Sequence, residues 1–231
     1  MAPTSSRRPA AGPPPARGAA RPVGRWVLAA GTVAWLVQPL YVVAELVTAA
    51  GSTAPYSLAD QTISDLGATT CTSVGYPYGA VAVCSPRHLL LNGSLVLFGA
   101  LLALGAVLLH RSLPRRRSAR AATVAWVVVG LSSAATGLVP LDRDLTLHAL
   151  VALPGLLASP VALLLLGGAL RSIAPRTAVL TAAAGLLSAV GAVAFLATAS
   201  SPELGGVRER VAFWPSYLWV PVVAVVLRRH R

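Results

Sequence analysis

Residues 149–170 read ALVALPGLLASPVALLLLGGAL, a run with no charge, no histidine and no side-chain amide. At about 1.5 Å of helical rise per residue such a run crosses the roughly 30 Å hydrocarbon core of a bilayer. There the backbone amides find no water, and a helix bonds them internally. Pro154 and Pro160 interrupt its amide ladder, which membrane helices tolerate and which predicts kinks. Outside the run lie Asp142, Arg143, Asp144 and His148 on one side and Arg171 and Arg176 on the other. Both flanks resist hydrocarbon, so the ends of the span are set by charge.

The same reading applied outward finds five more charge-free windows, at 26–44, 89–109, 121–141, 177–199 and 211–227. Continuous apolar runs of this length fit helices rather than the alternating strands of a barrel. Composition agrees: 55% of the 231 residues are hydrophobic and 11% charged, with a mean hydropathy of +0.70, whereas soluble domains carry about 25% charged residues. The expectation is an all-α membrane protein, with six transmembrane helices in a domain at 26–231. Residues 1–25, rich in Pro, Ala, Gly, Ser and Arg, read as a disordered cytoplasmic tail.

The net charge of +12 does not point to nucleic acid, because the basic residues are scattered between apolar runs instead of gathered on one polar surface. Their distribution is a topology signal. Fifteen of nineteen fall before span one, between spans two and three, between four and five, or after six. All seven acids fall at the other end, namely Glu45, Asp60, Asp65, Asp142, Asp144, Glu203 and Glu209. By the positive-inside rule both termini are cytoplasmic and the acidic end faces outward across a plasma membrane.

One long polar connection, 49–86, lies at the acidic end. Ser57 reads as an N-cap, Ala59, Ile63 and Leu66 recur at helical spacing, and Gly67 reads as a stop. This predicts a short interfacial helix lying on the membrane. The only cysteines, Cys71 and Cys84, share this loop, where an oxidising environment predicts a disulfide. Closing a loop of that size is worth about 3 kcal/mol by the chain-entropy estimate.

Candidate chemistry concentrates at the same end. Asp144 and His148 are four apart and share a helix face, as do His88 and Asn92, while Asp65 and Glu45 approach from neighbouring segments. Carboxylates and imidazole at one depth suit a divalent metal, with Asp144 and His148 as ligands, or acid–base work by Asp65 and His148. The plainer reading of the same residues is helix capping and ion pairing. Elsewhere, Ala184, Ser188 and Ala192 form a small-residue stripe, which predicts a central position for span five. Gln38-Pro39 is the one polar kink inside a span and predicts the wall of a cavity.

The order Pro55-Tyr56-Ser57, Thr62-Ile63-Ser64-Asp65-Leu66-Gly67, Ser85-Pro86, Leu91-Asn92, then Gly137-Leu138-Val139-Pro140-Leu141-Asp142 with His148, resembles the prokaryotic six-helix membrane proteins grouped as domain of unknown function 998. Gly206 with Glu209-Arg210 resembles the ending of that family. The resemblance implies the six-span fold. It also implies that Ser64, Asp65, Asn92, Asp142 and His148 form one outward-facing polar cluster, and it implies no particular activity. The expected function is a multi-pass plasma-membrane protein whose outer cluster, with His88, binds a lipid or envelope ligand. The alternatives are a metal-assisted membrane hydrolase, a transporter with a path past Gln38, and a structural subunit.

Overall fold

Pro39 has no amide to extend a helix, and the chain breaks there. In the computed structural model, which describes residues 24–230, α1 (Arg25–Leu36) and α2 (Pro39–Ala49) together make the first span. The other five are α3 (His88–Leu109), α4 (Arg117–Leu138), α5 (Leu145–Leu170), α6 (Pro175–Ala197) and α7 (Gly205–Arg229). Six helices are thus long and apolar enough to cross a membrane. The tail expected to be disordered lies almost wholly outside the described residues.

The spans close into a ring in the order α1, α3, α4, α5, α6, α7, with α7 returning to α1. Trp35, Trp126, Tyr217, Leu102 and Leu163 fill the interior. Close approach depends on glycine where helices touch backbone to backbone. A Cβ on Gly99 in α3 would stand 2.6 Å from the Gly130 carbonyl in α4. Trp35 lies over Gly105 and donates from its indole N–H to Leu102 O at 3.0 Å.

The small-residue stripe of α6 does pack tightly, since Ser188 Oγ donates to Ala212 O of α7 at 2.5 Å. The helix is not central to the bundle: it packs chiefly on its ring neighbours α5 and α7 and leaves Val179, Val190 and Val193 exposed. Small side chains set how closely one face approaches its neighbour, and they do not set how many neighbours a helix has. At Pro154 the ladder of α5 opens and a neighbour fills it. Ser132 of α4 donates to Val151 O at 2.5 Å and accepts from Gly155 N at 2.8 Å.

Connection 49–86 departs most from expectation. The interfacial helix is absent. Ser57 does accept from Asp60 N at 3.3 Å, but the segment forms a turn followed by a single 3-10 turn at Ser64–Gly67. The carbonyls a helix would need are already engaged: Ala59 O and Asp60 O accept from the first amides of α7, and Leu58 O and Gln61 O accept from Arg210. Ile63 and Leu66 are buried in the bundle, so the segment plugs its acidic end. Beyond it, β1 (Thr72–Tyr76) and β2 (Gly79–Val83) pair antiparallel, and Cys71 and Cys84 join as a disulfide at the open end of this hairpin. Gly79 turns the chain at φ +134°, a conformation few other residues adopt.

Candidate functional site

The 3-10 turn is held from every side, and its restraints define the site. Asn92 of α3 donates to Gly67 O at 2.9 Å, closing the end of the turn. Thr62 N donates to Asp65 Oδ2 at 2.9 Å, and Tyr76 of the hairpin donates to Asp65 Oδ1 at 2.6 Å. Burial pushes the Asp65 carboxyl above its ordinary value despite these bonds. Burial, with the adjacent Asp65 charge, likewise pushes the Tyr76 phenol up. From α7, Glu209 accepts Ile63 N at 2.5 Å, and its other oxygen lies 3.4 Å from Ser64 Oγ.

So fixed, Ser64 meets His148 of α5. His148 Nε2 is 2.9 Å from Ser64 Oγ, and His148 Nδ1 is 2.6 Å from Val139 O. A carbonyl oxygen can only accept, so Nδ1 carries the proton. In the neutral ring Nε2 then accepts from the Ser64 hydroxyl. His148 is only 7% exposed, and its α5 position is set by Asp144, the N-cap that accepts Leu147 N at 2.8 Å.

The remaining expected residues serve the frame. Asp142 accepts the amides and hydroxyls of Thr69 and Thr70 at 2.9–3.0 Å and ties the base of the hairpin to the start of α5. Burial would raise its carboxyl, but these four bonds outweigh burial and hold it below the ordinary value. His88 stays with its own loop, Nδ1 at 2.9 Å from Ser85 O. Asp144 engages its carboxylate in the cap, and His148 engages its ring nitrogens with Val139 and Ser64. Among the described residues no group of three or more His, Cys, Asp or Glu could hold a metal ion. Gln38 is fully buried and donates to Ala34 O and Phe98 O; it lines neither cavity described below.

Sequence reasoning missed the charges inside the helices. The charge-free windows stop short because α2, α5 and α7 extend past them to include Glu45, His148, Glu209 and Arg210. Arg210 Nε pairs with Glu45 Oε1 at 2.9 Å, Trp214 donates to Glu45 Oε2 at 2.9 Å, and Arg210 also donates to Tyr56 at 2.7 Å. Opposite charges that neutralise each other can sit at a depth where either alone cannot. The adjacent Glu209-Arg210 pair ahead of an apolar run was the available signal. The hairpin was missed too, although Pro77 followed by Gly79 spells a turn.

Two cavities meet at Ser64 and Glu209. The larger, about 560 Å³, lies between the hairpin-side ends of α5, α6 and α7, with Leu153, Leu156, Phe195 and Phe213 among its walls. Ser64, His148 and Glu209 supply polar groups, and Tyr76, Pro77 and Tyr78 of the hairpin cover it. Leu150 and Leu196, 61% and 43% exposed, place its mouth on the flank of the bundle. The smaller, about 40 Å³, lies inward against Ser132, Ser133, Thr136 and Tyr217.

A family model described as "Protein of unknown function (DUF998)" matches residues 35–226. No curated protein and no solved structure matches the chain. The family match spans the bundle, the plug and both faces of the Ser64–His148 contact, and the chain therefore belongs to the DUF998 family of multi-pass membrane proteins.

Proposed function

We propose that this protein binds an amphiphile taken from the surrounding bilayer, with the apolar chain in the cavity between α5, α6 and α7 and the polar group at Ser64 and His148. One observation carries the reading: a cavity of about 560 Å³ with apolar walls, a mouth on the flank and polar groups gathered at Ser64, His148 and Glu209. Its volume falls within the roughly 300–1,000 Å³ of small-molecule sites, which are mostly apolar with a few placed polar groups. An aqueous solute would meet the exposed leucines of the flank first; a lipid tail already lies there.

The arginine-rich end faces the cytoplasm and the acidic end, with the hairpin and the cavity, faces outward across the plasma membrane. Support comes from the one-sided distribution of arginine and from the cysteine pair at the acidic end. The partner is then a lipid of the outer leaflet or an envelope-derived molecule with a lipid tail.

The test is displacement of a fluorescent long-chain ether lipid from delipidated protein in detergent. Saturable binding by the wild-type chain, lost in Ala149→Trp, is expected, because Ala149 lines the cavity from an exposed position and an indole there fills it without invading the core. Equal binding by the folded variant would refute the cavity as the site.

A further inference from the structure

We propose that Ser64 is a nucleophile, with His148 as its general base, and that the bound amphiphile is an ester-linked lipid whose acyl group is transferred to Ser64 and then to water. The inference rests on the amphiphile-binding reading and adds a reaction to it.

Four observations lead there. A serine hydroxyl is a weak nucleophile until a base takes its proton, and His148 Nε2 stands 2.9 Å from Ser64 Oγ. Val139 O, 2.6 Å from Nδ1, orients the ring and selects the tautomer whose Nε2 lone pair faces the hydroxyl. The same third-group logic underlies hydrolytic triads, with a backbone carbonyl here in the orienting place. Ser64 itself borders the large apolar cavity, so an acyl chain lying there brings its carbonyl carbon to the hydroxyl. Finally, Ser64 also borders the inner cavity of about 40 Å³, which is room for a small number of waters at roughly 10–15 Å³ each. A core packed only for stability has no need of a serine held between a histidine, a carboxylate and two cavities.

Ser64 Oγ attacks the ester carbonyl carbon while its proton passes to His148 Nε2. The carbon–alkoxy bond breaks, and the proton on Nε2 passes to the departing alkoxide, which leaves as an alcohol and leaves the acyl group on Ser64. Water then attacks that ester, giving its proton to Nε2. The Ser64–acyl bond breaks, Oγ regains the proton, and a free carboxylic acid departs. No oxidant or metal is consumed. Glu209, bonded to Ile63 N, holds the backbone of the turn and is a positioning residue.

The experiment treats the full chain in detergent with a long-chain alkyl fluorophosphonate, which phosphonylates an activated serine with loss of fluoride, and maps the adduct by peptide mass. One adduct per chain on Ser64 is expected, with the labelling rate lowered about a hundredfold or more in His148→Gln, the scale of a lost general base. The wild-type result stands alone, so the proposal does not depend on whether a variant folds. The same preparation is titrated with the fluorescent ether lipid, which has no cleavable ester. Binding of the ether lipid without an adduct on Ser64, or an adduct mapped to another serine, overturns the nucleophile and leaves lipid binding in place. Absence of both binding and labelling overturns both readings.

Discussion

Arg210 Nε lies 2.9 Å from Glu45 Oε1, so an ion pair ties α7 to α2, with Glu45 wholly buried. Arg210 donates as well to Leu58 O, Gln61 O and the Tyr56 hydroxyl. One side chain thereby fastens two helices and the plug that carries Ser64. Removing one partner of such a pair strands the other charge, at a cost of about 3–5 kcal/mol. Arg210→Met is expected to lower the thermal midpoint sharply, and Glu45→Gln with Arg210→Met to recover part of the loss. Midpoints measured in one detergent decide this; a double variant no better than Arg210→Met would show that the backbone bonds of Arg210, and not the stranded carboxylate, dominate.

Gly105 leaves the room that Trp35 occupies, and an added Cβ would collide with the indole ring. Overpacking of this kind costs roughly 1–3 kcal/mol. Gly105→Ala should destabilise the contact of α1 with α3 and shift Trp fluorescence, whereas Gly93→Ala, which meets nothing, should be neutral. Equal effects of the two changes would contradict the packing described.

The hairpin depends on the Cys71–Cys84 bond more than the bundle does, since it contributes only a small satellite cluster of Val74 and Val83 with Ala68 and Leu141. Loss of the bond removes about 3 kcal/mol of chain restraint. Cys71→Ser is therefore expected to speed proteolysis within 69–86 and leave the bundle's helicity unchanged. Loss of helicity in circular dichroism would mean that the hairpin supports the spans.

The two frame carboxylates respond oppositely to pH. The Asp142 pKa is depressed, so its contribution is present above its unfolded value, about 3.9, and is lost as pH falls through the lower folded value. The Asp65 pKa is raised, so its contribution is complete below the unfolded value and fades as pH rises through the higher folded one. Asp65→Asn should flatten the loss of stability on the neutral side, and Asp142→Asn should weaken the hairpin at neutral pH by about 1–2 kcal/mol, as charge-assisted bonds are lost. Amide exchange at Thr69 and Thr70 reports the second, and thermal midpoints across pH the first.

The sequence by itself determined the number and nature of the spans, their approximate ends, and the concentration of acids and cysteines at one end. Those properties follow from the cost of placing each residue in hydrocarbon, a quantity that is additive along the chain and needs no knowledge of neighbours. The tertiary structure decided everything that depends on which groups meet. Asp142 and Asp144 turned out to be a tether and a cap, while Ser64 met His148 across 84 residues and Glu45 met Trp214 across 169. The helical spacing of Ala59, Ile63 and Leu66 was real, yet α7 claimed the carbonyls a helix there would have used. A backbone carbonyl engaged by a distant amide or guanidinium is less available to its own segment, and only the fold reveals that competition.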